Sequence, residues 1–178
     1  MIDQAGWVLW LTGRPASGKT WLAEAVRQRL GRVGVKAVIL DSDELRPILT
    51  PQATYTEQER ARFYQGIVEL ADLLTRYGTN IIIAATANRR AYRDAARERF
   101  GARFAEVFVS CSLQTCRTRD PKGLYAKVET GEITRLPGIG AAYEPPQAAE
   151  VTVNTEDNTP QEAAEKIVTA ISFLRSPP

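Results

Sequence analysis

Gly13-Arg14-Pro15-Ala16-Ser17-Gly18-Lys19-Thr20 sets two glycines with four residues between them, and a lysine and a hydroxyl directly behind the second. The run fits G-x-x-x-x-G-K-[ST] in full. Its glycines let backbone N–H groups curl around a phosphate, and a helix opening there offers its positive end to the anion. Lys19 supplies a mobile charge for the β- and γ-phosphates, and the Thr20 hydroxyl is placed to reach Mg²⁺. Gly13 through Thr20 are therefore the expected cradle for the polyphosphate of ATP.

A phosphate cradle names a nucleotide and leaves the reaction open. The guanine-reading Asn-Lys-x-Asp pattern does not occur, and the apolar strand at Asn80 to Ala85 carries no aspartate for a metal. The missing carboxylate is expected from Asp41 and Asp43, at i and i+2 behind the run KAVIL, where strands of such sheets end and ligands bind. One can serve Mg²⁺ while the other orients an acceptor hydroxyl. The bland alternative has Asp43 merely capping a turn at Glu44 to Arg46. The chain has no histidine, which removes imidazole bases, Ser-His triads and most zinc sites. Its two cysteines, Cys111 and Cys116, lack metal-ligand spacing and read as buried thiols near a strand end.

The elements that must position these groups alternate. Strand patterns at Trp7–Thr12, Lys36–Leu40, Asn80–Ala85, Phe104–Val109 and Glu150–Asn154 are separated by helical ones. Helices are expected from Lys19 to Leu30 with a stop at Gly31, and from a Thr56/Glu59 capping box to Tyr77. Others follow from an Asn88 cap to Phe100, from a Ser112 cap to Arg119, and from Thr159-Pro160 to near the end. This predicts one α/β domain over 1–178, doubly wound in the P-loop manner, with about five parallel strands and helices on both faces. From Asp120 to Pro146 the pattern lapses into Gly, Pro and charge, the mark of a functional or mobile loop.

With 178 residues, a net charge of +2 and 44% apolar residues, the chain suits a soluble domain that receives polyphosphates, with no case for nucleic acid. No apolar run reaches membrane-spanning length and no signal-peptide layout opens the sequence. A cytoplasmic protein without a membrane partner is expected.

Over nearly its whole length the chain resembles adenylylsulfate (APS) kinases. WLTG…SGKT, LDSDELR, EVFVSCSLQTCRTRDPKGLY, GEI at 131–133 and GIGAAYEPP at 138–146 carry the likeness. The resemblance implies transfer of the γ-phosphate of ATP, with Mg²⁺, to the 3′-hydroxyl of adenosine 5′-phosphosulfate, a small nucleotide acceptor. It implies roles in metal, hydroxyl and acceptor binding for Asp41 and Asp43, with Lys19 and these two aspartates as the catalytic set. Arg46 and Arg60 would contact the acceptor's charged groups, Lys122, Gly123 and Leu124 would cover it, and Arg119 would be a lid arginine near ATP. The 120–146 segment becomes a lid closing over both substrates. A homodimer is a family-level expectation only.

The departures gather on the acceptor side. Ser42 interrupts the aspartate pair where the family has glycine. Phe63 and Gln65 stand for an asparagine and an arginine, and Thr86-Ala87-Asn88-Arg89 replaces Ile-Ser-Pro-Tyr, so no phosphoserine carries over. Thr86 and Ala87 still occupy acceptor-facing positions. Two adenine-stacking aromatics read Tyr55 and Leu136. Pro15 and Ala16 replace Ser-Gly in the phosphate loop, so Ala16 must avoid positive φ or absorb strain. Three readings stay open: an APS kinase, a relative with a different acceptor hydroxyl, and a nucleotide-binding regulatory module without transfer. In the second, Arg89 and Arg90 would read an anion; otherwise Arg89, Arg90, Arg93 and Arg97 form a solvated helix face.

Overall fold

A computed structural model describes residues 5–134 and 136–175. Five strands, β1 (Val8–Thr12), β2 (Ala37–Asp41), β3 (Asn80–Ala84), β4 (Phe104–Ser110) and β7 (Val151–Asn154), form one parallel sheet in the order β2-β3-β1-β4-β7. β1 and β3 are buried at every position, as a sheet covered on both faces requires. Asn80 ties the lower edge together: its Nδ2 donates to the Lys36 carbonyl at 3.0 Å and its Oδ1 accepts the Trp7 N–H at 3.3 Å.

Alternation along the strands divides the core. Leu9, Leu11, Ile82, Val107 and Val109 pack with α1 (Lys19–Gly31) and α7 (Pro160–Ala170) on one face. Val8, Trp10, Ile81 and Ile83 pack on the other with α3 (Glu57–Arg76) and α4 (Arg90–Phe100). Period-two alternation sends neighbours to opposite layers, and both layers are apolar. The expected five-strand, two-faced architecture is observed, and α7 has the full Thr159–Glu162 capping box with Pro160 in its first turn.

Several local expectations need correction. Gly31 lies inside α1, and the left-handed stop falls at Gly34, φ 80°. Residues 42–49 form a helix, α2 (Ser42–Leu49), not a short turn, although Pro47 forfeits one backbone bond within it. Its cap is Asp41, whose side chain accepts the Asp43 N–H at 2.8 Å, so Asp43 is not the capping residue. The capping box of α3 is half closed. Thr56 accepts the Glu59 N–H, but the Glu59 carboxylate turns to the Thr54 and Tyr55 N–H groups. Asn88 does not cap α4; its Nδ2 reaches the Ala142 carbonyl, and Glu144 accepts the Arg90 N–H at 2.8 Å instead.

The 120–146 segment is more structured than its composition suggests. After α5 (Leu113–Arg119) it contains α6 (Leu124–Glu129) and two paired dipeptides, β5 (Leu136–Pro137) and β6 (Gly140–Ala141). Asp120 accepts both the Tyr125 and Ala126 N–H groups at 3.0 Å, capping α6 from outside it. Beneath lies a small apolar cluster built on Cys111, Cys116, Tyr125 and Leu136. Both thiols are free and buried, as expected.

Candidate active site

The phosphate loop links β1 to α1. Gly13 is compulsory on steric grounds, since a Cβ there would fall 2.5 Å from the Val109 carbonyl oxygen. Gly18 adopts φ 95° immediately before the first helical turn. Ala16 takes φ 62°, the left-handed conformation that strains a residue with a side chain. Lys19 Nζ donates to the Gly13 and Arg14 carbonyls at 3.0 and 2.8 Å. The lysine thus lies over the loop and satisfies itself on backbone oxygens. Burial lowers its pKa to about 8, against the opposing pull of Asp43 and Asp41.

Thr20 and Asp41 meet as the sequence implied. The Thr20 hydroxyl donates to Asp41 Oδ2 at 2.7 Å, and Asp41 is 5% exposed. A hydroxyl and a carboxylate are hard oxygen donors suited to Mg²⁺. No cluster of three or more acidic, Cys or His ligands exists among the described residues. A cation here would therefore complete its shell with water and phosphate oxygens, as Mg²⁺ characteristically does.

Asp43 forms an ion pair with Lys122, which joins α2 to the start of the 120–146 segment. Gly123 adopts φ 63° ahead of α6, and Leu124 packs partly buried into the lid cluster. Arg46 pairs with Glu59 at 3.0 Å and lies over two rings, 3.5 Å from the Phe63 centroid and 5.2 Å from that of Tyr55. Burial pulls its pKa below the ordinary arginine value, with Tyr64, Tyr55 and Glu59 opposing. Arg60 donates to the Tyr55 carbonyl at 3.1 Å and faces the Tyr55 ring. Tyr55 itself is half exposed at φ 55°. Thus Arg46, Tyr55 and Arg60 gather as one basic-aromatic group, and Phe63 serves as the floor under Arg46.

Thr86 and Ala87 follow β3. The Thr86 carbonyl accepts the Thr12 hydroxyl at 2.7 Å, and Ala87 is buried at φ 40°. Leu136 is 6% exposed inside the lid cluster, so it offers little open surface for stacking. Arg119 donates to Thr155 Oγ1 and to the Thr155 carbonyl at 2.9 and 2.7 Å, and Thr155 Oγ1 donates to the Ser17 carbonyl at 3.0 Å. That chain fixes Arg119 against the back of the phosphate loop.

The arginines at the start of and within α4 depart from the solvated helix face. Arg93 is 1% exposed and paired with Glu106 at 2.5 Å, while its other donors reach the Ala87 and Glu144 carbonyls. Arg89 holds Glu57 and Glu144, Arg90 reaches the Pro145 carbonyl, and Arg97 holds Glu150. They do not form a free solvated face: Arg89, Arg93 and Arg97 are held by carboxylates, and together the four tie the 144–150 stretch to the sheet. Sequence reasoning also missed Thr155, Tyr125 and Tyr143. Tyr125 donates to the Pro15 carbonyl at 2.9 Å, and the Tyr143 hydroxyl lies 3.2 Å from that of Thr12. Only the positions of these three within the lid and after the last strand hinted at such roles.

Comparisons with known proteins agree with the geometry. Residues 5–154 match the family model for adenylylsulphate kinase. A probable adenylyl-sulfate kinase of Pyrococcus abyssi is 39% identical over 163 residues, covering 92% of this chain and 93% of its relative. The adenylyl-sulfate kinase of Paraburkholderia xenovorans is 36% identical over 168 residues, 94% of each chain. Among solved structures, an APS kinase of Mycobacterium tuberculosis in complex with AMPPNP and APS superposes with a TM-score of 0.87 at 32% identity. The match covers 94% of this chain and 98% of that one. Among the described residues, no helix is long and apolar enough to cross a membrane.

Proposed function

This chain belongs to the adenylylsulphate kinase family, and from that premise we propose that it transfers the γ-phosphoryl group of ATP to the 3′-hydroxyl of adenosine 5′-phosphosulfate. The observation that carries the proposal is the meeting of Lys19, Thr20 and Asp41 at the carboxyl edge of the sheet, with Asp43 tied to the lid through Lys122. Lys19 leaves its two carbonyl partners to hold the β- and γ-phosphates. Thr20 and Asp41 would hold Mg²⁺, which would supply charge neutralisation at the phosphates. Asp43 orients the acceptor hydroxyl. Arg46 and Arg60 seat the acceptor's anionic groups, and Tyr55 offers its half-exposed ring for stacking.

Little covalent work falls to the protein in such a transfer; positioning and fixed charge account for most of the rate. The 120–146 segment acts as a lid that keeps water from the phosphoryl group, a reading supported by the Tyr125 hydroxyl on the Pro15 carbonyl of the phosphate loop. A cytoplasmic setting, which supplies ATP, belongs to the same proposal.

A coupled ADP-release assay tests the reading. ADP is expected only when MgATP and APS are both present, and Lys19→Ala is expected to lower turnover by roughly a hundredfold or more without shifting the urea midpoint downward. ADP formed with another hydroxyl compound and not with APS relocates the acceptor. Binding of MgATP with no ADP from any acceptor makes the chain a nucleotide-binding module, and near-normal turnover by Lys19→Ala removes the phosphate loop from the mechanism.

A further inference from the structure

Arg14 is the first residue after Gly13, and its guanidinium is underused. Nη1 donates to the Cys111 carbonyl at a long 3.3 Å, whereas Nε is buried with no partner. Arg14 takes part in none of the ion pairs among the described residues. Its nearest ring is Tyr143, 5.8 Å from the guanidinium carbon to the centroid, at the far limit of a useful cation–π contact.

The location sharpens the point. The lid turn at Gly138 closes directly on the Arg14 stem: a Cβ at Gly138 would stand 3.4 Å from both Cδ and Nε. The Ser17 hydroxyl of the same loop is also buried without a partner. Arg119 and Thr155 serve the loop at Ser17, and Arg14 stands at its Gly13 end, against the lid. A buried donor left without an acceptor is costly, so the Nε–H favours any oxygen that can reach it. Arg14 is thus half-buried against the Gly138 turn, at the mouth of a loop shaped for a polyanion, with donor capacity that no group among the described residues uses.

We propose that Arg14 is an oxyanion-binding residue of the closed site, whose guanidinium takes a phosphate-type oxygen delivered by substrate beneath the Gly138 turn. The contact is a set of charge-assisted N–H···O⁻ bonds and involves no covalent step. The oxygen comes either from the γ-phosphate of ATP or from the anionic group of the acceptor. The inference rests on the kinase reading above, and it adds a side-chain contact where that reading uses only the backbone of residue 14.

Arg14→Met keeps the length of the stem and removes the charge; Arg14→Lys keeps the charge and loses the planar fork. Calorimetry with MgADP and with Mg–AMPPNP, together with KM and kcat for ATP and APS, separates the sources. Arg14→Met is expected to bind MgADP within about twofold of the parent and to lose roughly tenfold to a hundredfold elsewhere. A loss for Mg–AMPPNP with lowered kcat assigns the γ-phosphate; a rise in KM for APS alone assigns the acceptor. Arg14→Lys is expected to show a smaller loss in the same quantity, and it carries the test if the methionine variant does not fold. Unchanged constants in the variants, or equal losses for all three ligands, overturn the proposal. If the parent itself fails to bind Mg–AMPPNP, the kinase reading fails first.

Discussion

Arg93→Met should be among the most damaging single substitutions outside the phosphate loop, and its cost follows from the contacts of one guanidinium. The side chain is 1% exposed, bonded to a Glu106 carboxylate that is itself nearly buried, and it caps the carbonyls of Ala87 and Glu144. Methionine fills much of the volume, so the loss is electrostatic. Glu106 keeps only Arg97, 3.7 Å away and partly solvated. Breaking one side of a buried pair costs about 3–5 kcal/mol. The two stranded carbonyls fall within that range, because relaxation and water reclaim some of their bonding.

At about 2–4 °C per kcal/mol for a chain of this size, Tm should fall by roughly 10 °C. Urea unfolding followed by circular dichroism measures the change as a lower midpoint at unchanged slope. The loss should also depend on pH. Burial already raises the Glu106 pKa, and removing Arg93 raises it further. An acid whose folded pKa lies above its unfolded value favours the fold below the unfolded pKa, near 4.3, and ceases to do so as pH rises through the folded pKa. The deficit of Arg93→Met should therefore shrink as pH falls from 7 toward 4. Pairing it with Glu106→Met removes the stranded carboxylate and should recover much of the loss. A penalty under about 1 kcal/mol, or a double variant as poor as the two singles summed, refutes this account of the cluster.

Two further outcomes follow from the loop itself. Desolvation lowers the Lys19 pKa to about 8 and a polyphosphate raises it again, so MgATP binding should take up protons at pH values above about 8. Calorimetry in buffers of different ionisation enthalpy at pH 8.5–9 (roughly, chosen from the depressed and ordinary lysine values) should show uptake that Lys19→Ala abolishes; buffer-independent heats would contradict it. Ala16→Gly removes a left-handed alanine and should stabilise the protein by about 1 kcal/mol; a lower urea midpoint would show that its methyl contact with the lid cluster outweighs the strain.

Signals confined to one stretch of chain were readable. The phosphate loop, the five strands and the caps at Ser112 and Thr159 each depend on neighbours within a few residues, and each is found where expected. Helix α2 was missed because Pro47 argues locally against it, although the Asp41 cap and the packing of Leu45 sustain it. The α4 arginines were misread for the opposite reason. Nothing local announces that their partners are Glu57, Glu106, Glu144 and Glu150, far away in sequence. Asn88 was assigned to a helix cap for the same want of distant information, since the carbonyl it meets belongs to Ala142. In the candidate site, Thr20 and Asp41 could be paired from the logic of strand ends, whereas the burial of Leu136 depends on lid packing that composition conceals.

The clamp of α4 on the far end of the 120–146 segment bears on how this enzyme can be re-engineered. A single guanidinium holds the loop after β3 and the stretch around Glu144, so these two segments are inherited as one piece. A chimera that imports a foreign loop at 86–88 without its matching 142–150 would strand carbonyls on both sides of the splice. Exchanges in this region are best attempted with both segments together with α4.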